Sequence, residues 1–286
     1  MTGSVLYEAP GPRARRRARH ASVVTALLLL GVLGWVIHCF AAEGELTYEK
    51  WGALIDPTNE NFGPLWTLLG GGLANTLLAA GWAILLSLVI GTVLALTRIT
   101  AAAWYRWAVV GVIELLRGTP VVVLIFFSAQ ALPALGLNVS LMWALVIGLT
   151  AYNCVIIAEI VRAGVTALPV GQSEAAYAVG MRRHQVLLHV LLPQAFRAML
   201  PALISQLVVV LKDTSLGVTI SYAEFVQRGE IAIENLDNQI QVYLALGVVF
   251  ILINYTLSRI AVHTERALSR GRSAAGEPES AAATGD

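Results

Sequence analysis

Apolar residues along this chain fall into runs of about twenty, separated by short polar stretches whose charge alternates in sign. At about 1.5 Å per residue, such a run forms a helix long enough to cross a hydrocarbon core of roughly 30 Å. Six runs can be marked, over residues 21–42, 65–96, 107–132, 141–161, 198–220 and 240–262. They predict an all-α integral membrane protein with about six transmembrane helices. The first run ends in small residues, Ala41 and Ala42, as a signal peptide would, but its length favours an uncleaved anchor. The second is too long for one simple span. Its glycines Gly70, Gly71 and Gly72 and polar pair Asn75 and Thr76 suggest a short interfacial entry helix followed by a crossing. Arg117-Gly118-Thr119-Pro120 interrupts the third run, and Pro120 should kink or break it.

Charge orients the spans. Arg13, Arg15, Arg16, Arg17 and Arg19 precede the first run, and fifteen of the seventeen arginines fall on one side of a consistent topology, Arg117 and Arg228 being the exceptions. Positively charged loops stay in the cytoplasm, so both termini are expected there. The opposite side is acidic, through Glu43, Glu45, Glu49, Asp56 and Glu60, then Glu224, Glu230, Glu234 and Asp237. The expected organisation is a basic cytoplasmic N-terminus (1–20), an N-terminal transmembrane helix (21–42), an outer acidic loop (43–64) and a transmembrane core (65–268) with a long inner loop (163–197). A disordered tail (269–286), rich in Ala, Ser, Gly and Glu, completes it.

Composition agrees: with 57% hydrophobic and 13% charged residues and a mean hydropathy of +0.72, 286 residues cannot coat a soluble globule. Cys39 and Cys154 lie in apolar spans and read as small hydrophobes, while the five histidines are too dispersed to bind metal. No Walker A motif is present, so ATP, if used, is bound by another polypeptide. No nucleic-acid partner is expected, and no internal repeat suggests the duplicated halves of many secondary transporters.

The inner loop carries a second, shorter helical signal. Pro169 and Gly171 stop the fourth helix, Ser173 can cap a new one, and Glu174 then lies in its first turn, where the helix dipole favours an anion. Ala175, Ala176 and Ala178 give a narrow profile, and Gly180 can end the helix in the left-handed conformation. Arg182 and Arg183 lead an amphipathic stretch up to Pro193 that can lie along the inner interface. On residues alone this is either a docking stub or a plain connector.

Charged groups inside the spans are functional candidates, because insertion of each costs at least about 2.5–3.5 kcal/mol. Glu114 and Arg117 share a helix face and can neutralise each other, as a structural pair or as substrate contacts. Glu159 is read first as a partner of Arg162, three residues on. Lys212, Asp213, Thr214 and Ser215 put a cation, an anion and two hydroxyls into one turn of the fifth span. With Arg117 they can form part of a substrate pathway, or the Lys-Asp pair can hold spans or subunits together.

Four motifs, Glu114-Leu-Leu-Arg117-Gly-Thr-Pro120, Gly171-Gln-Ser-Glu-Ala-Ala176 with Gly180, Leu192-Pro-Gln-Ala195 and Leu211-Lys-Asp-Thr-Ser-Leu216, resemble in this order those of the permease subunits of ATP-binding-cassette importers. Within them the chain is most similar to polar amino acid permeases of the histidine/glutamine/glutamate type, and most of all to glutamate permeases with an added first helix. The resemblance covers about residues 70–268. It implies a type I importer fold, with Gly171, Ser173, Glu174, Ala175, Ala176, Gly180, Arg182 and Arg183 forming a coupling element for a cytoplasmic ATP-binding subunit present in two copies. It further implies a second permease subunit, the same chain or a sister, and an extracytoplasmic amino acid binding protein in a bacterial inner membrane. ATP and Mg would sit in the ATPase, with no cofactor in this chain. The chain departs from the pattern in the fourth span, where Ile156-Ile157 replaces the Ala-Tyr pair ahead of Ala158-Glu159. An ion-coupled transporter using Glu114, Glu159 and Asp213, or a non-transporting scaffold, are the alternatives.

Overall fold

The computed structural model describes residues 11–100 and 103–273. The apolar runs are helices, as a bilayer requires of any segment whose backbone groups must be satisfied within itself. Helix α1 (Pro12–Ala42) has no buried residue, while α3 (Phe62–Thr100), α6 (Leu141–Thr166), the rod Arg183–Ile220 and the apolar part of α11 (Gln239–Ser273) pack together. These five are long and apolar enough to cross a membrane, and a bent pair, α4 (Ala103–Gly118) with α5 (Val121–Ala134), makes a sixth span.

α6 is the central helix, packed against α3, α4, α5 and α9 (Leu192–Asp213). Its approach to α3 depends on small residues. Gly72, Thr76, Ala80, Ala83, Ser87, Gly91 and Ala95 recur every three or four residues on α3 and are all buried. Lipid gives no hydrophobic drive for two apolar helices to associate, so close backbone contact must supply the attraction. At Gly91 a Cβ would stand 2.6 Å from the Cys154 carbonyl oxygen, and at Gly148 one would stand 2.5 Å from the Ile125 Cα of α5.

Several expectations change. The second run is one unbroken helix of 39 residues, about 58 Å long, with no separate entry helix. Gly72 serves contact rather than a break: a side chain there would meet Arg228 and the Glu224 backbone at 2.8–3.0 Å. The third span is broken at Pro120, as expected, its halves meeting at 102°. Pro120 has extended backbone, lacks an N–H and restricts Thr119.

The acidic segment 43–64 holds a helix, α2 (Tyr48–Ile55), docked on α3 and α11. The fifth span begins at Arg183, fifteen residues earlier than expected, as α8 (Arg183–Gln185), a π-helical segment (Val186–Leu191), α9 and a 3-10 segment (Thr214–Ile220). Pro193 directly follows the π turns, and it cannot donate to the carbonyl one turn back. The basic stretch from Pro12 to His20 is already helical, and α11 continues through Ser273. The rest of the expected N-terminal and C-terminal tails lies outside the described residues.

Gly91→Ala should destabilise the bundle by about 1–3 kcal/mol through overpacking, seen as a lower thermal midpoint in detergent. Gly70→Ala, whose Cβ meets nothing within 4 Å, should match or exceed wild type, since alanine favours a helix over glycine. A Gly91→Ala midpoint equal to that of Gly70→Ala would remove the seam from its role.

Candidate functional site

Two polar regions stand apart from the apolar packing, one at the arginine-rich end of the spans and one along the Arg183–Ile220 rod. At the first, Glu159 near the end of α6 accepts from Arg162 at 3.0 Å, the expected pair, and also bridges to Arg98 in the last turn of α3. Arg183 donates to the Ile99 carbonyl at 3.1 Å and so caps the C-terminal end of α3. Arg98 thus ties the end of α3 to α6, Arg162 holds the same carboxylate within α6, and Arg183 fastens the end of α3 to the segment between α6 and α9.

That segment contains α7 (Val170–Ala178). It begins earlier than expected. Pro169 is its N-terminal boundary, and Gly171 lies inside the helix. Ser173 is therefore an interior residue donating to the Val170 carbonyl at 2.8 Å, with no capping bond, and Glu174 lies beyond the first turn. Pro169 takes over the start because its fixed φ suits a helix entry and it has no N–H to satisfy.

The other end is as expected. Gly180 has φ +83°, the Met181 N–H donates to the Ala176 carbonyl at 3.2 Å and the Gly180 N–H to the Tyr177 carbonyl at 2.9 Å. These two bonds make a Schellman stop, closing carbonyls that would otherwise be unpaired.

Ala176 is the one buried residue of α7 and faces the π-helical segment, while Gly171, Glu174, Ala175, Val170, Tyr177 and Val179 are exposed. Arg182, also exposed, lends its backbone N–H to the Gln185 side chain at 2.8 Å. Gln194 donates to Gln172 at 3.2 Å and to the Val190 carbonyl at 2.8 Å, tying α7 to the start of α9. Neither glutamine was singled out from the sequence, although both lie inside the ordered motifs. The resulting helix is narrow, defined at both ends and bare on its outward face, as a docking element must be.

Along the rod, the expected four-residue cluster divides. Thr214 is buried with its hydroxyl on the Leu211 carbonyl at 2.5 Å, and Ser215 donates to the Lys212 carbonyl at 2.8 Å. Asp213 is half-buried and makes no ion pair with Lys212. Lys212 and Ser215 line a cleft of about 360 Å³ with Phe250, Ile251 and Asn254 of α11. Glu114 and Arg117 pair with each other at 2.6 Å at the end of α4, half-exposed.

Two polar contacts escaped the sequence reading. Gln206 donates to Asn153 at 2.7 Å, joining α9 to α6 in the apolar core, and Asn153 donates to the Leu149 carbonyl at 2.9 Å. At the far end, Asn75 and Thr76 hold the turn before α10 (Phe225–Leu236): Asn75 donates to the Ala223 carbonyl at 2.7 Å and Thr76 accepts from the Phe225 N–H at 3.0 Å. Glu224 in that turn is fully buried and caps α10, accepting from the Val226 and Gln227 N–H groups at 2.9 and 2.8 Å. Burial pushes its carboxyl up to about 7, outweighing those hydrogen bonds, with Glu230 adding to the rise.

Residues 87–270 match the family described as binding-protein-dependent transport system inner membrane component. The chain is similar to the glutamate transport system permease protein GluD of Corynebacterium glutamicum, 39% identical over 236 residues that cover 81% of this chain and 84% of that one. It is 31% identical over 206 residues to the L-cystine transport system permease protein TcyB of Bacillus subtilis, covering 72% and 88%. A crystal structure of an amino acid ABC transporter with histidines superposes with a TM-score of 0.65 at 27% identity, over 70% of this chain and 94% of that one.

Because the folded chain holds a proton on Glu224 that the unfolded chain releases near pH 4.5, stability should fall as pH rises from about 4.5 to about 7. Thermal midpoints measured between pH 5 and 8 should show this decline, and Glu224→Gln should flatten it. An identical pH profile in both proteins would contradict the assignment.

Proposed function

This chain belongs to the family of binding-protein-dependent transport system inner membrane components, and from that membership we propose that α7 is the element through which ATP hydrolysis elsewhere drives its movement. The chain is a multi-spanning permease subunit of an amino acid ABC importer, a transport subunit of the inner membrane and not itself an enzyme. Its substrate is glutamate or a similar polar amino acid, a reading supported by the 39% identity to a glutamate permease.

Two such subunits, identical or sister chains, form the pathway. Two ATP-binding subunits holding ATP and Mg dock on α7, and an extracytoplasmic binding protein delivers the amino acid to the acidic end. Both termini then face the cytoplasm, in keeping with the charge of the loops. The observation that carries the coupling role is the shape of α7: a Schellman-terminated helix of nine residues with its outward face bare, tied to α9 through Gln194 and flanked by the Arg183 anchor to α3.

A movement imposed on that helix passes to α9 and to the ends of α3 and α6 together. In the pathway, Lys212 is a cation in a spanning rod with no acid paired to it among the described residues, beside Ser215 and the apolar Phe250 and Ile251. Such a site fits the carboxylate of an amino acid, whose transfer requires charge and hydrogen-bond donors in one place.

In proteoliposomes holding the permease, the ATPase and the binding protein, labelled glutamate uptake should require ATP. Uptake sustained by an ion gradient alone would overturn the reading. Gly180→Val forces a β-branched residue to positive φ at a cost of about 1–2 kcal/mol. With no steric clash at that Cβ, insertion should be normal while ATPase co-purification weakens and uptake falls about tenfold. Full uptake in that variant would remove α7 from coupling. Lys212→Met should lower uptake at least about tenfold, the order of a lost charged contact of 1.5–3 kcal/mol, with assembly retained; lost assembly with retained substrate affinity would make Lys212 structural.

A further inference from the structure

We propose that the arginine collar at the start of α1 is a binding site for anionic phospholipid headgroups. Arg13, Arg15, Arg16, Arg17 and Arg19 all lie in the first turns of the helix that continues through the apolar residues to Ala42. All five are exposed. The apolar stretch 21–42 is about 33 Å long and fills a hydrocarbon core of roughly 30 Å. Arg13 to Arg19 extends along the same axis by about 9 Å, and the headgroup layer is roughly 5–7 Å deep on each side. Arg16, Arg17 and Arg19 are therefore held at the level of the lipid phosphates, with Arg13 and Arg15 within side-chain reach just above it.

The directions of the side chains identify the partner further. At about 100° per residue, positions 13, 15, 16, 17 and 19 spread over an arc of about 200°, wider than one stripe, with Ala14 and Ala18 on the remaining face. A layer of anionic headgroups around the helix meets the whole of that arc. The helix has no buried residue, which leaves its sides open to lipid. From Pro12 to Ala42 it contains no acid, and Glu8 is the one acid in the first 42 residues. Five cations facing one acid leave an excess positive charge, and arginine forms bidentate contacts with phosphate. Each basic residue at an anionic surface contributes about 1 kcal/mol, equivalent to about fivefold in local enrichment.

The full chain carrying p-benzoylphenylalanine at His20, which lies on the arginine face, is reconstituted into vesicles of equal phosphatidylglycerol and phosphatidylcholine, irradiated, and the attached lipid identified by mass spectrometry. Phosphatidylglycerol should exceed phosphatidylcholine at least about fivefold. Replacing all five arginines with lysine should preserve the preference, and replacing them with glutamine should bring the ratio close to one. Raising salt to about 1 M, where the Debye length is about 3 Å, should do the same to the unsubstituted collar. A ratio near one with the native collar at low salt, or a preference that survives both glutamine and high salt, would overturn the proposal. Should the glutamine variant insert in the opposite direction, the salt series on the native collar decides alone.

Discussion

The close approach of α3 and α6 is the contact on which the rest of this molecule depends. Two apolar helices in lipid gain nothing by merely being apolar, so they associate only where backbones can touch. The small residues of α3 from Ala83 to Ala95 permit that contact, Gly91 lying against Cys154 and Ile157, and α6 is the most buried span. Once those axes are fixed, so are their ends. Arg98, Glu159 and Arg162 can then bridge α3 to α6, and the Ile99 carbonyl is available to Arg183. The coupling segment is attached to the two helices whose spacing is least free to vary.

Polar contacts serve different ends along the bundle. In the core, the Gln206 and Asn153 amides pair across α9 and α6, where an unpaired amide would cost about 1–3 kcal/mol. At the end away from the arginines, Asn75, Thr76 and Glu224 hold the turn between the 3-10 segment and α10 against α3. Between them lies the Lys212 cleft, at the junction where α9 tightens into the 3-10 segment. A rod with a π-helical segment at one end and a 3-10 segment at the other has two places where its hydrogen-bond pattern changes. The first adjoins α7 and the second adjoins Lys212, so the same rod connects the docking helix to the polar cleft.

Much of this was legible in the sequence because it depends on local chemistry. Six apolar runs, the break at Pro120, the left-handed Gly180 and the Glu114–Arg117 and Glu159–Arg162 pairs all follow from spacing within one helix. Features that depend on a neighbouring helix were not legible. Gly70 to Gly72 suggested a break, yet the helix runs through them and Gly72 lets α10 approach closely. Ser173 suggested a cap, but Pro169 had already started α7 four residues earlier. Lys212 and Asp213 suggested a pair, whereas the rod presents Lys212 to α11, and Asp213 makes no ion pair among the described residues. Arg98 could not be assigned to Glu159 without knowing that α3 and α6 run side by side.

The central claim is that α7 is the surface on which the ATP-binding subunit acts. Disulfide cross-linking tests it most directly: Glu174→Cys on the bare face of α7, paired with single cysteines on the ATP-binding subunit, in the assembled transporter. A specific cross-link should form, should block ATP-driven uptake, and reduction should restore it. Absence of any cross-link from Glu174→Cys, Tyr177→Cys and Val179→Cys in a transporter that still takes up amino acid would contradict the claim.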